Sequence, residues 1–490
     1  MLDNLAPKNE EPALAHAAIS ESIPQNRLRT RLVKLPELLA QWSEHFNVPG
    51  VSVGVLSGED TEIFVHGMAN IATNVAVSPD TLFQLGSNAK LWTATVVMKL
   101  VDEGLLDLDA EVVRYVPEFR LAHADAAEVT IRHLLTHTAG FLGDFFGNSD
   151  TDSIATYVEQ IAELEQLHPI GELWSYCNSG WVLLGRVIEK VTELDYESAV
   201  RGRLLDPSGD TTTVMQGEQI DPLRTAMGYL PDNVTGALQE APYGIMPPCA
   251  PAGSVPVSTP SDVLRFIRMH LDGGRAEDGS QVLSLEAVRL MQTPQVAIPD
   301  AMAPTHSWGL GWMLRNASDG QSVIGHGGGT PSGQVSMLEV VPDQRVAVVV
   351  LTNGGGGGML AAEVVSHVLR ELIGADLTPP AIQWPEPPIE LDLSRYVGQY
   401  GAGGTLLDVR IADVHKGLTV TVSTSVPEGD AAPPVQVIPL RAISKSLFGI
   451  AIPGVEQAME FLDFDSEGIP RYFFAVRLYP RRLTPRSGEH

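Results

Sequence analysis

The sequence predicts an α+β domain, an antiparallel sheet flanked by helices, followed by a small antiparallel β-barrel. Three observations carry this: strand-like runs near residues 50–70 and 322–352 with helical material between them, a proline-rich break, and short strands from there to the end. A length of 490 residues also divides more naturally into two domains than one.

Taken in order, residues 1–28 are polar and aperiodic and read as a flexible arm. From Pro49, VSVGVLSG and TEIFVHGMAN read as a strand pair turning at Ser57-Gly58-Glu59-Asp60. After Gly86, SNAKLWTATVVMKLVDEG reads as a helix: Leu91, Ala94, Val97, Leu100 and Val101 recur at helical spacing, and Gly104 stops it. Helical and loop material continues to about Leu271. SVIGHGGG, QVSMLEVV and RVAVVVLTN are three short strands, the last two joined as a hairpin at Pro342-Asp343-Gln344. A helix from about Met359 to Leu372 completes a domain of residues 29–378. The stretch TPPAIQWPEPPIE supplies a linker at 379–388. From 389 to 490, runs such as TLLDVRIADV, GLTVTVST, AMEFLDFD and YFFAVRLY form the barrel, with turns at Lys416-Gly417 and Asp465-Ser466-Glu467-Gly468.

Composition narrows the partners. Sixty acidic residues against 32 basic ones give a net charge of −28, which argues against nucleic acid or an anionic membrane, since both need a basic patch. No apolar stretch approaches the ~20 residues that span a bilayer. The start has neither a basic nor an apolar leader region, and two cysteines, Cys177 and Cys249, fit a reducing compartment; the expectation is cytoplasmic. Nothing sets the number of subunits, and no cofactor is implied.

Three short segments carry chemistry. Ser87 and Lys90 are three residues apart on a helix, hence on one face. A serine hydroxyl needs a base beside it, and a lysine serves once burial lowers its pKa. The helix start adds N–H groups that suit an oxyanion. Against this stands an ordinary N-cap serine with a surface lysine. Tyr176 and Asn178, two apart on an extended segment, face one cleft. A tyrosine near a cation can ionise below its free pKa of ~10 and act as base, and the amide can hold an acyl chain and orient the lysine. The bland alternative is a core tyrosine beside a capping asparagine. His326-Gly327-Gly328-Gly329 lets a substrate backbone approach a strand edge, or is a glycine turn with an incidental histidine.

Together and in this order, GSNAK, YCN and GHGGG resemble the S-x-x-K, Y-x-N and K/H-T/x-G motifs of class C-like serine β-lactamases, a family that includes esterases, D-amino-acid peptidases and D,D-peptidases. LLTHTAGF, APAGSVPVSTPSDVLRFIRMHLDGG and VVPDQRVAVVVLTNGG also look like family segments, so the resemblance spans roughly residues 29 to 378. The part beginning SRYVGQYG resembles, more loosely, the lipocalin-like barrel that follows many such domains. The resemblance implies Ser87 as nucleophile, with Lys90 and Tyr176 sharing the proton work. Asn178 contacts the acyl group, and His326, Gly327 and Gly328 line the substrate strand. The N–H groups of Ser87 and Gly329 form the oxyanion hole. Histidine at 326 replaces the usual lysine and weakens the pull on a β-lactam carboxylate, while the Cys177 thiol crowds or lines the site.

Other patterns carry less. His133 and His137 have zinc-helix spacing, but Leu134 occupies the glutamate position, so no metal is expected. The run Gly354 to Gly358 lacks a phosphate-loop ending, and Cys249 reads as a packed small side chain. The leading reading is a serine hydrolase acting through an acyl-enzyme on a small or peptide-like ester or amide, and a poor β-lactamase. A penicillin-binding-protein-type thioesterase that macrocyclises a peptide is the second reading, and a non-catalytic binding scaffold is the third.

Overall fold

A computed structural model describes residues 27–148, 151–215, 220–232, 235–241, 246–302, 306–377, 381–412, 417–425, 435–452 and 455–482. Most of the expected arm lies outside these residues. Its last two positions belong to the helix Arg27–Arg31. Lys416 of one expected barrel turn also lies outside them.

Among the described residues, nine strands form the main sheet, in the order Val75–Ala76, Asp60–Asn70, Gly50–Ser57, Val346–Thr352, Val335–Val341, Ser322–Gly329, Met313–Asn316, Ser307–Trp308 and Val296–Ala297. The first domain's two ends therefore meet: Val51 pairs with Thr352 and Ser57 with Val346. Val346–Thr352 is buried along its whole length, which is why VAVVVLT carries no polar alternation. Its side chains alternate between two cores. Val346, Val348 and Val350 pack with helices Leu35–His45 and Gly357–Ile373. Ala347, Val349 and Leu351 face the larger core, built on helices Lys90–Asp102, Asn178–Thr192 and Pro260–Leu271. The hairpin expected at Pro342-Asp343-Gln344 is a tight 3-10 turn between paired strands.

The middle segment is less helical than its sequence reads. Gly228–Pro231 and Leu238–Ala241 form a small hairpin there, and their mixed, partly exposed residues carry no clear strand alternation.

Eight antiparallel strands from Gly398–Ala402 to Arg477–Arg482 close into a barrel, the first pairing with the last through Gln399–Arg482 and Tyr400–Arg481. Tyr400, Leu407, Val409, Leu418, Val420, Phe448, Phe461 and Phe473 fill its interior, leaving a packed core. Phe474 points the other way. With Leu478 it packs on Trp174, Ile298 and Trp308 of the first domain, which fixes where the barrel sits.

Candidate active site

Ser87 sits in a single 3-10 turn, Gly86–Ala89, that feeds a helix starting at Lys90 rather than at the serine. Gly86 has φ +52°, and a Cβ there would meet the backbone of Gly329 at 2.9 Å, so glycine is required on two counts. Lys90 lies on the buried face of its helix, wholly enclosed. Its Nζ is 3.0 Å from Ser87 Oγ and donates to the Ala252 carbonyl at 2.6 Å. Burial pushes its pKa well below the ordinary lysine value, with Arg477 acting in the same direction and Asp144 against it. Burial thus favours the neutral amine beside the serine hydroxyl, and a surface lysine is ruled out.

Tyr176 stands over this pair. Lys90 Nζ lies 5.1 Å from the centre of its ring, and the phenol hydroxyl is buried beside Ser87 without a formed hydrogen bond. Burial raises the phenol pKa above its ordinary value, outweighing Ser87 and Arg477, which both favour ionisation. Burial thus works against the tyrosinate that the nearby cations favour. Cys177 is buried and engaged at the start of the next helix. Its Sγ caps the helix Asn178–Thr192 by accepting from the Gly180 N–H at 3.3 Å, and burial pushes the thiol up to about 12. It takes the capping place that the bland reading gave to Asn178. The Asn178 amide donates to Asp144 Oδ1 at 3.0 Å, so the lysine is oriented by Ala252 and not by this amide.

The glycine strand runs alongside. A Cβ on Gly328 would lie 2.1 Å from the Leu85 carbonyl oxygen and 3.0 Å from the Ser87 nitrogen, so only glycine lets Ser322–Gly329 approach the nucleophile turn. Gly327 and Gly329 are exposed with open space beside them. His326 is buried, its Nδ1 2.6 Å from the Gly327 carbonyl, and burial drives its pKa down to about 3. A neutral, enclosed imidazole is no anchor for a carboxylate.

Three side chains at the site have no signal in the sequence motifs. Arg477, on the last barrel strand, holds its guanidinium carbon 4.6 Å from the centre of the Tyr176 ring. The same group makes a two-pronged ion pair with Asp144, each contact 2.9 Å. His137, set aside as a metal ligand, stacks on Tyr176 with ring centres 4.3 Å apart and accepts the Cys177 N–H at 2.9 Å. Its partner in that spacing, His133, completes a capping box with Thr130. Among the described residues no group of three His, Cys, Asp or Glu side chains is placed to hold a metal. Cys249 is buried in the turn Pro247–Ala252, its thiol also raised to about 12.

Comparison with known proteins agrees with this architecture. The β-lactamase family model matches residues 36–368. Penicillin-binding protein 4 of Amycolatopsis lactamdurans is 36% identical over 378 residues, covering 74% of this chain and 98% of that protein. Penicillin-binding protein 4* of Bacillus subtilis (strain 168) is 27% identical, covering 60% of this chain and 66% of its own length. Among solved structures, SurE superposes with a TM-score of 0.73 at 23% identity, over 92% of this chain and 99% of that one. The octameric penicillin-binding protein homologue from Pyrococcus abyssi gives 0.62 at 23% identity, over 89% and 96%. At these coverages both likenesses reach beyond the first domain.

Proposed function

The chain belongs to the β-lactamase family, and on that premise we propose that it is a serine acyl-enzyme hydrolase or acyl transferase for small or peptide-like esters and amides, with weak activity on β-lactams. The observation that carries the proposal is the fully buried Lys90 amine 3.0 Å from Ser87 Oγ, where burial favours its neutral form. A neutral amine at that distance takes the hydroxyl proton as Oγ attacks the acyl carbon. The Ser87 and Gly329 N–H groups receive the oxyanion, usually worth ~10²–10³ in rate per donor. Tyr176, kept as a phenol, passes a proton to the departing group, and Lys90 restores it. The acceptor, water or an amine, then enters by the reverse steps and frees Ser87.

Two features support a preference against β-lactams. His326 stays neutral and enclosed where a cation would hold the ring carboxylate. The net charge of −28 disfavours anions at long range, although salt screens it over ~8 Å. The test compares kcat/KM for nitrocefin, a p-nitrophenyl ester and a peptidyl thioester ending in a D-residue; a solved structure of SurE contains D-Leu. Both acyl donors are expected to outpace nitrocefin, and faster nitrocefin turnover refutes the assignment. Resolving the thioester product into free acid and cyclic amide separates the hydrolase from the macrocyclase.

A further inference from the structure

We propose that Asp144 and Arg477 are positioning residues: an ion pair reaching from the barrel clamps the Asn178 amide and sets the charge around Lys90. This rests on the acyl-enzyme reading above and adds two residues to it.

The geometry is specific. A carboxylate only accepts, so the 3.0 Å contact with Asp144 Oδ1 fixes the Asn178 amide with its NH₂ toward Asp144 and its oxygen as the free end. The other side of Asp144 is held by both prongs of Arg477, and a forked guanidinium allows one orientation of a carboxylate where a lysine would allow many. Arg477 is in turn fixed by its neighbours. Leu478 donates its N–H to Ser175 Oγ at 3.1 Å and packs in the cluster around Trp174.

The hairpin that presents Arg477 is strained. Ala475 pairs directly with Arg477, leaving Val476 as a one-residue turn at φ +66°, a conformation that a β-branched residue rarely adopts. Val476 is exposed, so core packing does not account for the strain, and what the tight turn achieves is the placement of Arg477 on Tyr176.

The charge around Lys90 follows. Its other titratable neighbours are Tyr176, Cys177, Cys249, His137 and His326. Burial holds the phenol and both thiols protonated and both imidazoles neutral. Arg477 and Asp144 are the remaining charges, and they act on the lysine in opposite senses: the guanidinium lowers its pKa and the carboxylate raises it.

The test uses the full-length protein and the acid limb of kcat/KM for a p-nitrophenyl ester, which reports deprotonation of Lys90. Arg477→Gln is expected to move the limb to higher pH, and Asp144→Asn to lower pH, each by about 0.3–1 unit for a charge at this range. Asp144→Asn keeps an oxygen for Asn178, so its plateau should exceed that of Asp144→Ala by about threefold or more. Arg477→Lys should restore the limb but not the full plateau, since it keeps the charge and loses the fork. Shifts of the same sign, an unmoved limb, or Asp144→Ala matching wild type overturns the proposal. If Arg477→Gln fails to fold, the Asp144 pair and Arg477→Lys still decide it. Fluorophosphonate labelling of wild-type Ser87 is run alongside: absent labelling counts against the acyl-enzyme reading, while labelling with unmoved limbs counts against the ion pair alone.

Discussion

The backbone N–H of Leu478 donates to Ser175 Oγ at 3.1 Å, which ties a barrel strand to the residue before Tyr176. The Leu478 and Phe474 side chains are fully buried against Trp174 and Trp308, and these rings in turn pack around Tyr176. The barrel is therefore part of the wall behind the phenol. Leu478→Ala is expected to cost about 2–5 kcal/mol of stability, the usual range for a buried leucine. It should also lower kcat at temperatures well below its own melting point. Thermal melts paired with initial rates check this, and a destabilised variant with wild-type kcat would show that the barrel only braces the fold.

Lys90→Met should reduce turnover by roughly 10²–10⁴ while raising stability by about 1–2 kcal/mol, a gain typical of replacing a strained functional group. The sign follows from the depressed pKa. A lysine free to protonate in the unfolded chain but disfavoured from protonating in the fold favours unfolding at every pH below its unfolded value, an effect that grows as pH falls and levels off below the folded one. Methionine removes that penalty, so the gain should shrink as pH rises toward the free lysine value. Melting temperatures of the two proteins across pH 6 to 10 test it, and a destabilised methionine variant contradicts it.

Tyr176→Phe should reduce kcat/KM by roughly 10²–10⁴, the range of general acid–base catalysis, and the double variant with Lys90→Met should lose little more. Because burial raises the phenol pKa, Tyr176 stays protonated beyond the free value of ~10. The pH–rate profile should then show no basic limb from tyrosine below that pH. A limb there that vanishes in Tyr176→Phe would restore the tyrosinate base.

Gly328→Ala should reduce kcat by at least about 10²-fold, the worth of one oxyanion donor, because its Cβ would push against Leu85 and the Ser87 N–H. Gly327→Ala, with open space at its Cβ, is the matched control and should keep the kcat of wild type on a small ester. Equal effects of the two substitutions would remove the glycine strand from the oxyanion account.

What was legible in the sequence was local. Ser87 and Lys90 declare themselves by helical spacing, and Gly328 by a run of glycines on a strand. The apolar run at Val346–Thr352 marks a strand buried on both faces. Asp144 and Arg477 have no such pattern, since each is an ordinary charged residue until folding brings a loop and a remote barrel strand together. The protonation of Tyr176 is hard to read from sequence for a related reason. Nearby cations are easy to anticipate from motifs, whereas the burial that outweighs them is a property of the packed site. Cys177 looked like a departure inside a motif, and only the helix start at Asn178 reveals it as a cap.

The most direct test of the account is peptide-mapped intact mass spectrometry after brief exposure to a fluorophosphonate and, separately, to a p-nitrophenyl ester at low pH to trap the acyl-enzyme. The account predicts one adduct per chain from either reagent, on the peptide containing Ser87, lost in Ser87→Ala and slowed in Lys90→Met. An adduct on another residue, or an undiminished one in Ser87→Ala, contradicts it.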